Sequence, residues 1–194
     1  DVSLVGSEMC IRDRYKNPLQ QPLFTPDSSW MIPEVLPDLS KAKEICIDLE
    51  TWDPNLKEKG SGWARKDGHI VGIALATEGW QGYFPVRHRS GGNLDEKLVF
   101  SWLKEMLSTN SDKICHNASY DIGWLKAEGI EAKGRIIDTM VAAPLIDENR
   151  FSYSLNALGR HYLQESKNEE LLNDAAEAWN CLLYTSDAAD EKRW

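Results

Sequence analysis

The 194-residue chain contains no apolar run long enough for a membrane helix, which excludes a helical membrane span. Its cysteines number four, and none has a CxxC or His-spaced partner, so neither a zinc site nor a redox pair is encoded. No glycine-rich phosphate loop, internal repeat or low-complexity segment is present. Positive charge is in deficit. Against 31 acidic residues stand 22 Lys and Arg, a formal charge of −9, and this excludes nucleic-acid binding through a broad basic surface. It leaves open an acidic pocket that meets phosphate through cations. The stretch around Met9 is too short in apolar residues for a signal peptide. What remains, 42% hydrophobic and 27% charged, suits one soluble globular domain with a sizeable core. Cys46 and Cys115, both in apolar strand-like runs, read as buried reduced thiols of a cytoplasmic protein.

The ends read differently from the interior. Residues 4–14 and 181–191 look like translated DNA-library adapter. Met9–Asp13 can be encoded by ATG TGT ATA AGA GAC, and Cys181–Ser186 by TGT CTC TTA TAC ACA TCT. Apart from the end bases these strings are reverse complements, as one adapter on both ends of a fragment would be. Residues 1–14 and 181–194 are therefore set aside from fold reasoning. Residues 15–43, with Pro18, Pro22, Pro26, Pro33 and Pro37, form an extended lead-in, and 44–180 form the domain proper, open at its C-terminal end.

The stretch Glu44–Thr51 organises that domain. It alternates at period two, with Ile45, Ile47 and Leu49 on one face and Cys46, Asp48 and Glu50 on the other. The two carboxylates lie roughly 7 Å apart along the strand. On a mostly buried strand they repel, and a hard divalent cation would relieve the conflict. The alternative is two solvated acids at a frayed strand end. The long loop Trp52–His69 carries Lys57, Lys59, Arg65 and Lys66 as a weak basic patch, and reads equally as a functional loop or a loose insertion. Strands follow at 70–76 and 82–86 around the turn Glu78-Gly79. Asn93 is the expected N-cap of a helix to Ser108 with Leu94, Leu98, Trp102, Leu103, Met106 and Leu107 inward.

A fourth strand at 113–116 opens directly into a helix. There Asn117, Tyr120, Asp121, Trp124 and Leu125 share an otherwise apolar face. Asp121 in the first turn is explained by the helix dipole, or by a cation that meets it. A short strand at 136–138 follows, then a helix at 139–147 kinked by Pro144, another at 153–163 and a last one at 168–179. The order implies a mixed sheet with helices packed against it. His69 and His116 read as structural histidines.

Asp48-x-Glu50, then Asn117-x-x-Tyr120-Asp121 some seventy residues on, resembles the four-acid 3′–5′ exonucleases of the ribonuclease H-like superfamily. Leu23–Asp27, Ile47–Thr51, Asp53–Leu56, Phe84–His88 and Phe151–Leu155 resemble the exonuclease region of phage-type, DNA polymerase I-like (family-A) polymerases over roughly residues 20–180. The resemblance implies a ribonuclease H-like α/β fold with a mixed five-stranded sheet flanked by helices. It also implies two divalent cations, Mg²⁺ or Mn²⁺, roughly 4 Å apart. Asp48 would lie between them, Glu50 on the nucleophile side, and Asp121 on the second metal. Leu49, Thr51, Asn117 and Tyr120 would be the substrate-side residues, with plain packing the other reading of Asn117 and Tyr120. The implied partners are a single-stranded or frayed DNA 3′ end and a polymerase domain downstream. Alternatives are a ribonuclease D-like RNA 3′ exonuclease and a catalytically silent scaffold. The family's third motif, Tyr-x-x-x-Asp or a His version, is not matched: Tyr153 meets Ala157, and His161 with Glu165 falls in the preceding helix. That motif is expected beyond Asn180, cut off from this sequence, so this chain is expected to hold metal poorly and to be weakly active or inactive. Asp138, in an Asp-Thr-Met run, reads as structural.

Overall fold

Strand β1 (Glu44–Trp52) keeps the alternation its sequence shows: Ile45, Ile47 and Leu49 are buried, while Cys46 and Asp48 face solvent. The computed structural model describes residues 31–88 and 92–165, and the helix expected at 168–179 lies outside them. After β1 come a single helical turn α1 (Leu56–Lys59) and a 3-10 turn at Gly62–Ala64. Strands β2 (His69–Thr77) and β3 (Trp80–Pro85) flank the expected turn, and helix α2 (Glu96–Leu107) follows. Then come β4 (Asp112–Cys115), α3 (Ala118–Ala127), β5 (Ile136–Asp138), α4 (Thr139–Ile146) and α5 (Leu155–Tyr162).

The five strands form one mixed sheet in the order β3-β2-β1-β4-β5. β1 pairs antiparallel with β2 and parallel with β4, and β4 pairs parallel with β5. Parallel pairing requires a crossover, which the α2 and α3 segments supply. β1 is thus central. Ile45, Ile47 and Leu49 join Ile73, Leu75 and Phe84, Val99, Trp102, Leu103, Met106 and Leu107 of α2, and Trp124 and Leu125 of α3, in one core. Each such side chain contributes about 1.5–3 kcal/mol when fully buried.

The described residues fall into two units, 32–151 and a second that includes 152–165. The sheet and helices α1–α4 belong to the first. In the second, α5 is capped by the Ser154 side chain, which accepts the Ala157 N–H.

Several local expectations differ from the structure. Cys115 is buried, but Cys46 is exposed on the same β1 face as Asp48. Asp95, not Asn93, caps α2, accepting the Leu98 N–H at 2.9 Å. Asn93 is held by the His88 backbone instead, donating to its carbonyl and accepting its N–H at 2.7 Å each. Leu98, expected inward, is 61% exposed, and Val99 takes the buried place beside Trp102 and Leu103. Asn117 precedes α3 in the left-handed conformation (φ 74°), so it does not share the helical face of Asp121. Pro144 lies within α4, which ends two residues later.

Candidate active site

The end of β1 carries the two strand acids, each opposite a small residue of β2. Asp48 stands opposite Ala74 and Glu50 opposite Gly72 on β2. The pairing skips a residue between Glu50 and Thr51, a bulge that re-aims the strand end. Asp48 is exposed rather than buried, and Glu50 is half-buried.

Asp121 reaches β1 from α3. β4 pairs with β1 only as far as Cys46. Beyond that point the strand edge is served by a side chain, for the Leu49 N–H donates to Asp121 Oδ1 at 3.0 Å. Asp121 is only 3% exposed. Its carboxyl is pushed up to about 8, first by burial and next by the negative charge of Asp48, while the Leu49 N–H pulls the other way. Burial also drives the Cys115 thiol up to about 12, helped by Asp121, Asp138 and Asp48. Cys115, in the core, therefore feels the same negative field.

Thr51 and Tyr120 meet beside these acids, with their hydroxyls 2.6 Å apart. Burial holds the Tyr120 phenol up at about 12, so it stays neutral at any working pH. Leu49, whose side chain is in the core, contributes its backbone N–H to the site. Asn117 engages locally, its Oδ1 accepting from the Ser119 hydroxyl at 3.0 Å.

The long loop after β1 is built rather than loose. Asp53 Oδ2 accepts the Gly62 N–H at 2.7 Å, and Asn55 Nδ2 donates to Asp67 Oδ2 at 2.6 Å. Arg65 donates to the carbonyls of Lys59, Gly60 and Ser61. The Trp63 ring lies against Gly123 of α3, where a Cβ would come within 2.4 Å of it. Burial pushes the Asp53 carboxyl up, and the hydrogen bond from the Gly62 N–H and the charge of Arg65 pull it part-way back. Asp53 thus ties the start of the loop to its middle, a contact its sequence position did not reveal.

Tyr83 and His88 were also missed. Tyr83 pairs with Ala74, and so stands on the sheet face of Asp48. Its hydroxyl lies 1.9 Å from where a Cβ on Gly72 would be, across from Glu50. It is 2.6 Å from His88 Nε2. The only sequence signal was a glycine in a buried strand, a sign of close approach.

Among the described residues no three His, Cys, Asp or Glu side chains converge closely enough to hold one metal ion. The structure brings Asp121 to the edge of β1, where it feels the charge of Asp48, and Glu50 follows Asp48 two residues on, half-buried. Carboxylates that repel one another splay apart without a counter-charge. A buried acid whose ionised form is disfavoured by a second acid nonetheless fits a hard dication, which takes carboxylate oxygens.

A family profile described as 3′-5′ exonuclease, that of A-type DNA polymerases, matches residues 29–189. The chain belongs to this exonuclease family. It is 39% identical over 166 residues to a DNA-directed DNA polymerase of Pseudomonas phage M6, covering 81% of this chain and 25% of that protein. It is 26% identical over 167 residues to DNA polymerase I of Borreliella burgdorferi, covering 81% and 17%. The exonuclease chain thus spans a quarter or less of these relatives. Its fold matches a nuclease solved in apo form (TM-score 0.50, 18% identity, 73% of this chain and 61% of that one). It also matches Pol1 from M. smegmatis in complex with DNA primer-template and dNTP (TM-score 0.50, 19% identity, 73% and 24%). Both support the ribonuclease H-like mixed sheet. Among the described residues no helix is long and apolar enough to cross a membrane.

Proposed function

We propose that this exonuclease domain hydrolyses 3′-terminal phosphodiesters of DNA, single-stranded or frayed, releasing nucleoside monophosphates, as part of a cytoplasmic DNA polymerase I-like protein with its polymerase domain downstream. The observation that carries the reading is Asp121, a carboxyl held on the edge of β1 and kept from ionising first by its burial and then by the charge of Asp48. Asp48, Glu50 and Asp121 would hold two divalent cations, Mg²⁺ or Mn²⁺. Such ions supply charge neutralisation at the scissile phosphate and acidification of a water.

The chain's own residues prepare the rest. The Leu49 N–H fixes one oxygen of Asp121 and leaves the other for a ligand. Thr51 and Tyr120 form a neutral, donor-bearing wall suited to the sugar or base of a terminal nucleotide. Asn117, immediately before α3, would take the same substrate-side role. Within the described residues Tyr153 is followed four positions on by Ala157, so the family's fourth acid is expected further along, beyond Asn180.

The test is release of the 3′ nucleotide from labelled DNA and RNA oligonucleotides, with Mg²⁺, with Mn²⁺ and with chelator. Metal-dependent attack on DNA that disappears in Asp48→Ala and Asp121→Ala supports the reading. Preference for RNA by tenfold or more turns it to a ribonuclease D-like exonuclease. A folded chain that carries its fourth acid yet leaves both substrates intact turns it to a silent scaffold.

A further inference from the structure

Helix α3 has an unusual beginning. Asn117 would ordinarily cap it, but its left-handed backbone and its bond from Ser119 leave it no side-chain bond to the helix. The open N–H groups are taken up from elsewhere. Asp138 Oδ1 accepts the Asn117 N–H at 3.1 Å, and Asp138 Oδ2 accepts the Ala118 N–H at 2.8 Å. The same Oδ1 accepts the Met140 N–H at 2.9 Å, the cap of α4. One carboxylate therefore closes the start of two helices.

The neighbouring residues reinforce this clasp. The Thr139 hydroxyl donates to the Cys115 carbonyl at 3.1 Å and lies 2.8 Å from His116 Nδ1. The last residues of β4 are thus tied to the first of α4, and α3 springs from between them. Asp121 sits one turn into α3, and its bond to the Leu49 N–H depends on where that turn begins.

We propose that Asp138 is a positioning residue for the exonuclease site: by capping α3 from another element, it sets the reach of Asp121 to the edge of β1. It is not itself a metal ligand, because its two oxygens are engaged by three backbone N–H groups. The relevance to catalysis rests on the function proposed above; the structural link does not.

Two variants separate the clasp from general stability. Asp138→Asn keeps the shape and one acceptor oxygen. Asp138→Ser keeps a cap for α4, as serine caps its own helix, but is too short to span to α3. Amide hydrogen exchange, read by NMR on the 194-residue chain, is the measure. Protection of the Leu49 N–H is expected to fall at least tenfold in Asp138→Ser, and less in Asp138→Asn. The buried β2 amides of Ile73 and Leu75 should stay within twofold. Unchanged Leu49 protection, or uniform loss at all three amides in both variants, overturns the proposal. Mn²⁺ binding gives the second readout, expected to weaken at least fivefold in Asp138→Ser. If the parent chain binds no Mn²⁺, the expected absence of the fourth acid accounts for it, and the Leu49 result alone decides the role of Asp138.

Discussion

Replacing Asp121 by Asn should stabilise the metal-free protein while destroying its function. The Asn side chain has the same shape and still offers an oxygen to the Leu49 N–H, so packing and that 3.0 Å bond persist. What disappears is a carboxyl that binds its proton more tightly in the folded state, near 8, than at its ordinary 3.8. For such a group the stabilisation is complete below about pH 4 and is lost as pH rises through about 8. At pH 7 the wild type therefore falls short of the Asn variant by at most about 4 kcal/mol. Relaxation around the buried charge lowers this, and about 2 kcal/mol is expected, or roughly 4–8 °C in Tm for a chain of this size. Thermal unfolding in chelator from pH 5 to pH 8 is the assay. The Tm difference should be small at pH 5 and widen steadily towards pH 8. Millimolar Mg²⁺ should narrow it by raising the wild type alone. A variant less stable than the parent, or a difference that does not change with pH, refutes the argument.

Three further outcomes follow from the packing. Gly62→Ala would place a Cβ 2.1 Å from the Asp67 carbonyl oxygen, a backbone atom with little freedom, so about 2 kcal/mol of destabilisation and faster proteolysis between Lys57 and Lys66 are expected. Lys113, fully buried, donates from Nζ to the carbonyls of Thr109, Ser111 and Lys133 and to the Ser111 hydroxyl. Lys113→Met strands those acceptors and should lower stability by about 2–4 kcal/mol in urea unfolding. Tyr120→Phe removes the hydroxyl 2.6 Å from Thr51, with about 1 kcal/mol lost in the same assay and a higher KM for a DNA oligonucleotide.

The parts of this molecule that were legible in sequence are those governed by local pattern. β1 declared itself because a strand alternates at period two, and the burial of Ile45, Ile47 and Leu49 follows it residue by residue. The turn at Glu78-Gly79 and the short β5 were equally local. What depended on distant partners was not legible. Asn93 and Asp95 are both good caps, and the choice fell to Asp95 because the His88 backbone occupies Asn93. Cys46 looked buried by its neighbours' hydrophobicity, yet it shares the open face of Asp48. Asp121 was found from its position in a helix start, but its bond to Leu49 spans 72 residues of sequence. The capping of α3 by Asp138 and the seat of Tyr83 over Gly72 exist only once the sheet order is assembled.

The central claim is that Asp121 waits, mostly protonated at neutral pH, for a divalent cation shared with Asp48. Calorimetric titration of Mn²⁺ at pH 7 in buffers of different ionisation enthalpy tests it most directly, because a cation that binds the carboxylate must expel the proton. The prediction is release of close to one proton per binding event, abolished in Asp121→Asn, with affinity rising as pH approaches 8. Binding that releases no proton, or that is unaffected by Asp121→Asn, would contradict it.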